Sequence, residues 1–159
     1  MDVDHLTRRS TETSLYRDHA KELVRFATAL VGPFDAHDAV SDGMLSLLRD
    51  GRLGEADHPK ALMYRAVFAK ARSMQRTSFR RRAREQRTAE RLASYEPEVH
   101  PEVFAAVVQL SARQRACIYL TYWEDLTVGE IAGRLDIGEG TVKRYLARAR
   151  GQLRRVLHE

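Results

Sequence analysis

Apolar residues recur at three- and four-residue steps along most of the chain, which is the spacing of one face of an α-helix. Alternation with a period of two is scarce, and only four prolines and nine glycines interrupt the 159 residues. The first predicted helix runs from about Glu12 to Val31, where Gly32 and Pro33 stop it, and residues 1–10 are expected to fray. Its predicted inward residues are Leu15, Tyr16, His19, Leu23, Phe26, Ala27 and Leu30.

Two more helices are predicted before residue 94. Asp35 is expected to cap a helix that reaches about Arg49. Pro59 is expected to open a long third helix, because proline is favoured at the first helical position. The apolar pattern of this helix gives way to arginine after Phe79. The apolar residues available for packing in these two helices are Ala36, Ala39, Val40, Met44, Leu47, Leu48, Leu62, Met63, Ala66, Val67 and Met74.

Residues 94–101 are predicted to form an acidic, proline-containing linker, with two prolines, two acids and no lysine or arginine. The chain is therefore predicted to be all-α, with two small helical domains over residues 11–93 and 102–159. A short helix over residues 102–110 is expected to open the second domain. Ser111 and Gln114 then have the spacing of a cap for a helix over residues 112–123.

The stretch from residue 127 to 146 has the pattern of two short helices joined by a tight turn. Thr127 and Glu130 have the spacing of a capping box, and Gly138 is expected to supply the backbone freedom for the turn. This arrangement predicts a helix-turn-helix, whose second helix enters the major groove of DNA. The predicted inward residues are Ile131, Ala132 and Leu135 in the first helix, and Val142, Leu146, Ala149, Leu153 and Val156 in the second.

Charge is distributed unevenly along this basic chain. It holds 27 Lys and Arg against 22 Asp and Glu, with a sequence pI near 9.6. One basic block lies within residues 65–91, and a second follows Lys143, with no acid before Leu157. A basic helix can simply be a solvated surface, but two separated blocks predict two contacts with nucleic acid.

Enzymatic chemistry has little support in the sequence. The six histidines and Cys117 lack metal-ligand spacing, and neither a phosphate-binding glycine loop nor a nucleophile elbow is present. Asp35, Asp38 and Asp42 fall near one helix face, which favours a solvated or protein-binding surface over a metal site. We therefore expect no metal, no cofactor and no catalytic residue. The single cysteine and the lack of a membrane-spanning segment or signal peptide predict a cytoplasmic protein.

The order of two basic blocks, acidic linker and C-terminal helix-turn-helix resembles the extracytoplasmic-function branch of the bacterial sigma-70 family. The resemblance covers about Leu15 to Leu157. It is strongest at Leu110–Arg115, at Tyr122–Leu126 and at Ile131–Leu146, where Glu139-Gly-Thr-Val-Lys143 is among the more specific signatures. The stretch Asp35-Ala-His-Asp-Ala-Val40, followed by Asp42 and Leu45, is similar to the helix of this family that binds the polymerase core.

The resemblance implies a sigma factor that directs RNA polymerase core to a subset of promoters. A region-2-like first domain would bind the core and the melted minus-ten element, and a region-4-like second domain would read the minus-thirty-five element. It implies as partners the core enzyme, promoter DNA and an anti-sigma factor, with no membrane. The implied upstream-element contacts are Thr127, Glu139, Gly140, Thr141, Lys143, Arg144, Tyr145 and Arg148. The implied contacts to the melted strand are Tyr64, Arg65, Phe68, Arg72, Arg76 and Arg80. The implied contacts to the core enzyme are Asp35, Asp38, Val40, Asp42, Leu45 and Leu48.

Two alternatives to a sigma factor stay open at this point. A stand-alone helix-turn-helix regulator would bind operators without polymerase. A sigma-like adaptor would hold polymerase without opening promoters, and this reading is favoured by Ala69 and Ser73, which stand where the family pattern has Asn and Asp. Core packing is an equally good role for Tyr64 and for Phe68.

Overall fold

The computed structural model describes residues 3–82 and 101–158, and the regular structure within these ranges is helical, which confirms the all-α prediction. The predicted linker and the end of the first domain lie outside the described residues, apart from Pro101. The helices are α1 Val3–Val31, α2 Ala36–Asp50, α3 Pro59–Arg82, α4 Pro101–Val108, α5 Ala112–Tyr122, α6 Val128–Leu135 and α7 Glu139–His158, and a single 3-10 turn covers Leu53–Glu55.

Helices α1, α2 and α3 pack against one another through the apolar stripes that the sequence predicts. Gly43 sets the separation of α2 and α3, because a Cβ atom there would lie 3.1 Å from backbone atoms of Ala66 and Val67. A side chain at this position would therefore push the two helices apart. The fully buried side chains of this half include Leu23, Phe26, Leu30, Val40, Leu53, Met63, Tyr64 and Val67.

Helix α1 starts at Val3, so the prediction that residues 1–10 fray is wrong for the described part. Contacts with the 3-10 turn hold the extra turns in place. Arg8 forms an ion pair with Glu55, and Glu12 is only 9% exposed beside Gly54. Tyr16 is 37% exposed, so the prediction that it points inward is wrong.

Asp35 stands at the N-cap position of α2 but does not cap it with its side chain, so that part of the prediction is wrong. Its backbone has φ −101° and ψ −6°, close to helical values. A side-chain cap requires an extended backbone, from which the carboxylate can reach the amides one turn ahead. The Asp35 carbonyl instead accepts the first helical hydrogen bond, from the amide of Ala39 at 3.0 Å.

The C-terminal half is built by α5, α6 and α7, with α4 packed against α7. Both predicted capping boxes are confirmed, at Ser111–Gln114 and at Thr127–Glu130. Cys117 is fully buried at the centre of α5, and burial raises the pKa of its thiol to about 11. This thiol therefore packs as a small apolar group.

The two halves share one hydrophobic core among the described residues. The Phe26 ring joins them, with its centroid 4.8 Å from that of Tyr64 in α3 and 5.8 Å from that of Tyr119 in α5. Helix α5 packs against α1 and α3, and α6 packs against α3. In the described part of the chain, no helix is long and apolar enough to span a membrane.

Replacing Gly43 by alanine should lower the free energy of unfolding by about 1–3 kcal/mol, because the added methyl overpacks the contact of α2 with α3. Urea unfolding followed by circular dichroism measures this change. The matched control is Gly151→Ala on the exposed face of α7, where a Cβ atom meets nothing within 4 Å. That variant should gain about 0.5–1 kcal/mol, since alanine is the better helix former. Equal effects at both positions would contradict the packing argument.

Candidate nucleic-acid interface

Helix α6 of the helix-turn-helix is fixed at its start by reciprocal hydrogen bonds. The Thr127 amide donates to Glu130 Oε2 at 2.8 Å, and the Glu130 amide donates to Thr127 Oγ1 at 3.3 Å. The Thr127 amide and hydroxyl hold the pKa of Glu130 below its ordinary value. The helix therefore begins at a defined residue, which sets the orientation of the turn that follows.

The turn between α6 and α7 depends on Asp136 rather than on Gly138. Asp136 takes the left-handed conformation, with φ 56° and ψ 49°, which aspartate tolerates better than most side chains. The positive φ predicted to need Gly138 is absent there. The Gly138 carbonyl instead starts α7 by accepting from the amides of Thr141 and Val142 at 2.9 and 3.1 Å. Ile137 packs against the core and closes the turn.

Helix α7 separates its apolar and basic faces. Val142, Leu146 and Ala149 are buried against the rest of the helix-turn-helix half. Along the outer face, Glu139, Gly140, Lys143, Arg144 and Arg148 are exposed. Thr141 is half-buried, and its hydroxyl accepts from Arg144 Nη2 at 3.5 Å. Long cationic side chains around a helix start suit base edges and phosphates in a major groove.

Two residues predicted to contact the upstream element make structural contacts instead. The Thr127 hydroxyl belongs to the α6 cap. Tyr145 is half-buried and packs against the shared core, within electrostatic range of Arg72 in α3. The structure therefore brings Glu139, Gly140, Lys143, Arg144 and Arg148 to one exposed face of α7, with Thr141 half-buried.

Four of the six predicted melted-strand residues, Tyr64, Arg65, Phe68 and Arg72, are buried or half-buried. Tyr64 is completely buried and Phe68 nearly so. The Arg65 guanidinium donates to the Gly133 carbonyl at 2.7 Å, and Arg72 lies over the Phe68 ring at 5.6 Å. Arg76 is exposed, and the side chain of Arg80 lies outside the described residues. In this arrangement neither aromatic ring is open to a nucleic-acid base.

Tyr64 is enclosed by groups from the other half of the chain. Its hydroxyl donates to Glu124 Oε1 at 3.3 Å, and the Arg134 guanidinium lies 4.8 Å from its ring centroid. Burial, followed by the negative charge of Glu124, raises the pKa of the phenol far above its ordinary value. Tyr64 therefore stays neutral and acts as a hydrogen-bond donor.

Sequence reasoning missed the polar residues that join the two halves. Gln75 Oε1 accepts from the Ala112 amide at 2.7 Å, across 37 positions of sequence. The Arg115 guanidinium donates to the Leu30 carbonyl at 2.8 Å, across 85 positions, and also to the carbonyls of Val108 and Leu110. Contacts over such separations leave no periodic signal in one sequence.

The predicted polymerase-binding face lies on α2. Asp35, Asp38 and Asp42 are exposed there, and Asp42 pairs with Lys70 at 2.9 Å. Leu45 is 50% exposed and Leu48 is 43% exposed, so both leucines present apolar surface to solvent beside the charged groups. Val40 is 1% exposed and holds α2 to the core, so it is not available to a partner as predicted. No cluster of metal-binding side chains occurs in the parts of the chain that the structure describes.

Comparison with known proteins places the chain in a family. Residues 102–153 match the family described as Sigma-70, region 4. The ECF RNA polymerase sigma factor SigL of Mycobacterium tuberculosis, in strain H37Rv and in strain CDC 1551, is 35% identical over 92% of this chain and 88% of SigL. The chain belongs to the extracytoplasmic-function branch of the sigma-70 family. The family resemblance seen in the sequence is thereby confirmed.

A solved structure supports the fold of this sigma factor over nearly its whole length. The sigma factor RpoE of Bartonella quintana, solved in complex with the anti-sigma factor NepR, has a similar fold with a TM-score of 0.58. The match covers 92% of this chain and 96% of RpoE at 22% sequence identity. The described fold is therefore one that a sigma factor adopts.

The capping box generates a prediction for stability. Thr127→Ala should lower the free energy of unfolding by about 1 kcal/mol, because the Glu130 amide loses its acceptor, whereas Thr127→Ser keeps it. The lowered pKa of Glu130 adds a dependence on pH. The contribution of the Glu130 carboxylate to the free energy of unfolding is present above its unfolded-state pKa, near pH 4.3. This contribution is lost as the pH falls through the lower folded-state pKa.

Urea unfolding at a series of pH values tests both parts. Glu130→Gln should flatten the acid side of the stability profile, because glutamine keeps the box geometry but does not titrate. An unchanged slope below about pH 5 in this variant would contradict the assignment.

Proposed function

We propose that this sigma factor directs bacterial RNA polymerase core to a subset of promoters and assists initiation there. The supporting observation is the exposed basic face of α7, presented by a capped helix-turn-helix in a chain of this family. We assign core binding and the minus-ten element to residues 11–93 and the minus-thirty-five element to residues 102–159. Catalysis belongs to the polymerase, since a sigma factor is not an enzyme.

The upstream element is read in the major groove by the first turns of α7. Glu139, Thr141, Lys143 and Arg144 lie near the helix start, where a recognition helix meets base edges. Arg148, Arg154 and Arg155 are exposed farther along the helix and suit phosphates. Each neutralised phosphate releases counterions, so affinity should fall steeply with salt.

The core enzyme is bound by the exposed face of α2. Leu45 and Leu48 offer apolar surface beside Asp38 and Asp42, all solvent-exposed. Apolar anchors within an acidic rim suit a partner surface with a basic rim and an apolar centre. Val40 is buried under this face and holds α2 to the core.

The melted minus-ten strand is bound by α3. Its exposed and half-buried arginines attract a phosphate backbone, and Tyr64 and Phe68 offer rings for base contacts. Because the Tyr64 ring is buried against Glu124 and Arg134 of the C-terminal half, a base contact with this ring requires the halves to separate.

An anti-sigma factor is a further proposed partner, in the cytoplasm. The structural neighbour RpoE was solved with such a protein, NepR. A pull-down with this protein as bait tests the proposed partner.

Reconstitution with bacterial core polymerase tests the proposed function. Run-off transcription on a promoter library should yield specific transcripts that depend on this protein. Binding to core without any transcript would favour an adaptor. Operator binding without a complex with core would favour a stand-alone regulator.

Single substitutions in α7 should distinguish the residues that recognise bases from the residues that contact phosphates. Arg144→Ala should weaken binding to the selected promoter by about 1–3 kcal/mol and leave binding to random duplex DNA nearly unchanged. Arg154→Ala should weaken both and reduce the salt slope by about one. Fluorescence anisotropy over a salt series measures these effects, with exposed Arg17→Ala in α1 as control. If Arg144→Ala and Arg154→Ala behave alike, the division of roles is wrong.

The α2 face should be required for core binding but not for duplex binding. Asp38→Lys combined with Leu45→Ala should weaken the complex with core about tenfold or more, through lost apolar contact and charge repulsion. Asp18→Lys, at an exposed acid of α1, is the control. Competition binding to core gives the affinity, and anisotropy checks that α7 still binds promoter duplex. Unchanged affinity for core would refute this docking face.

A further inference from the structure

We propose that Tyr122 and Trp123, at the C-terminal end of α5, form a stacking platform for single-stranded nucleic acid. Two arginines flank this aromatic platform, Arg150 of α7 and Arg25 of α1, and contact the phosphate backbone of the bound strand. Neither ring belongs to the residues assigned above to promoter or core binding, so the site goes beyond the proposed function. It adds a strand contact to the C-terminal half that is separate from α3.

Both rings of the platform are open to solvent. Trp123 is 71% exposed, the highest value for a large apolar side chain in the described part of the chain, and Tyr122 is 65% exposed. Tryptophan is on average highly buried, and exposed aromatic surface commonly marks a binding site. These two consecutive rings contribute little to the core and are available to a partner.

Each ring is held from one side, which leaves its other side free for a base. Trp123 stacks on Tyr119, with ring centroids 6.2 Å apart and an angle of 15° between the planes, and Tyr119 packs against Phe26 of the core. The Arg150 guanidinium lies 5.6 Å from the Tyr122 ring centroid, and its Nε donates to the Tyr122 hydroxyl at 2.8 Å. Rings fixed in this way lose little conformational freedom when a base stacks on them.

Positive charge lies on two sides of the platform. Arg25 is exposed on α1, within electrostatic range of Tyr119. Along α7, Lys143 and Arg154 are exposed and share one side of the helix with Arg150, because they lie about two turns before it and one turn after it. This basic edge runs from the start of α7, where duplex DNA is read, to the aromatic platform.

The acids near the platform leave this charge in place. Glu124 follows Trp123 in the chain, but its Oε1 accepts from the buried Tyr64 hydroxyl. Glu22, near Tyr119 on α1, is paired with Lys60 at 2.9 Å. Asp125 is exposed, and the two flanking arginines outweigh its single charge.

A nucleic-acid strand suits this surface better than a protein does. Arginines beside exposed aromatic rings are the arrangement that binds single strands without sequence preference, because every base has a π-face. A stable protein interface needs an apolar centre within about 1,000 Å² or more of buried surface. The two rings have charged neighbours instead, Arg150 on one side and Asp125 on the other.

A melted DNA strand and an RNA strand offer the same chemistry to the platform. Both have unpaired bases that can stack on a ring and phosphates that arginine attracts. The bases of a duplex are already stacked within the double helix and cannot lie on these rings. The platform therefore distinguishes single strands from duplex, whereas the first turns of α7 bind duplex.

The fluorescence of Trp123 reports on the platform alone, because this is the only tryptophan in the 159 residues. The full chain is titrated with short oligo-dT and with oligo-rU of the same length, and the tryptophan emission is followed. A base stacked on the indole quenches this emission. Anisotropy of dye-labelled copies of the oligomers gives the affinity, and a random-sequence duplex of equal length is the control ligand.

Substitutions at the platform should separate stacking from charge. Trp123→Ala should weaken binding to both oligomers about five- to a hundredfold, because one base loses its stacking partner, whereas Trp123→Phe keeps a ring and should retain most of the affinity. Arg150→Gln should weaken binding and lower the salt slope by about 0.7, the value for one phosphate contact with a single strand. Should Trp123→Ala not fold cooperatively by circular dichroism, Tyr122→Ala carries the same test with Trp123 still present as the reporter.

The matched control variant is Phe34→Ala. Phe34 is an equally exposed aromatic ring, 66% exposed, in the connection between α1 and α2. Its removal should leave the affinity for both oligomers and the quenching of Trp123 unchanged. A loss equal to that of Trp123→Ala would show that any exposed ring has the same effect, and would overturn the assignment to the platform.

Both oligomers should quench the Trp123 emission and the duplex should not. The tighter-binding oligomer identifies the source of the strand, RNA or melted DNA. Binding without quenching, equal quenching by the duplex, or an unchanged affinity in Trp123→Ala would each overturn the platform. Quenching by a peptide of alternating glutamate and phenylalanine, but by neither oligomer, would assign the surface to a protein partner instead.

These outcomes are independent of the test of the proposed function, since the titrations contain neither core enzyme nor promoter. Promoter-directed transcription without quenching by either oligomer would sink the platform and leave the function standing. Quenching without any promoter-directed transcript would do the reverse.

Discussion

The burial of Tyr64 between the two halves is the contact on which much of this structure depends. Phe26 from α1 and Arg134 from α6 meet its ring, and Glu124 accepts its hydroxyl hydrogen. One phenol thus connects the N-terminal bundle, the helix-turn-helix and the loop before it. Because an aromatic side chain buries much apolar area while its hydroxyl still needs a partner, it fixes both the distance and the orientation of its neighbours.

The helix-turn-helix is largely independent of that contact. Its geometry comes from the Thr127–Glu130 capping box, from Asp136 in the left-handed conformation and from the apolar stripe of α7. The capping box and the Asp136 turn are satisfied within a few residues, and the apolar stripe packs on the neighbouring helices α4, α5 and α6. The exposed basic face of α7 therefore stays available to duplex DNA, while α3, whose surroundings come from remote parts of the chain, is covered.

Much of the fold could be predicted because helical periodicity and capping chemistry act over short distances. Both capping boxes and the inward stripes of α2, α3 and α7 follow from such patterns. The first ten residues were misjudged because their support comes from Glu55 and Gly54, some forty positions away. Val40 and Tyr64 were predicted to contact partners but are buried. The sequence pattern that suggests a function for an apolar or aromatic residue does not show which neighbour covers it.

The sequence by itself determined the helical class, the helix-turn-helix, the one-sided charge of α7 and the family. These properties are written in residue spacing and composition, which need no knowledge of distant neighbours. Only the tertiary structure decided that α3 lies against α5 and α6, with Gln75 bound to Ala112 and Arg65 to Gly133. The reason is physical: these contacts join groups far apart in the chain through single hydrogen bonds, and their formation depends on how whole helices pack.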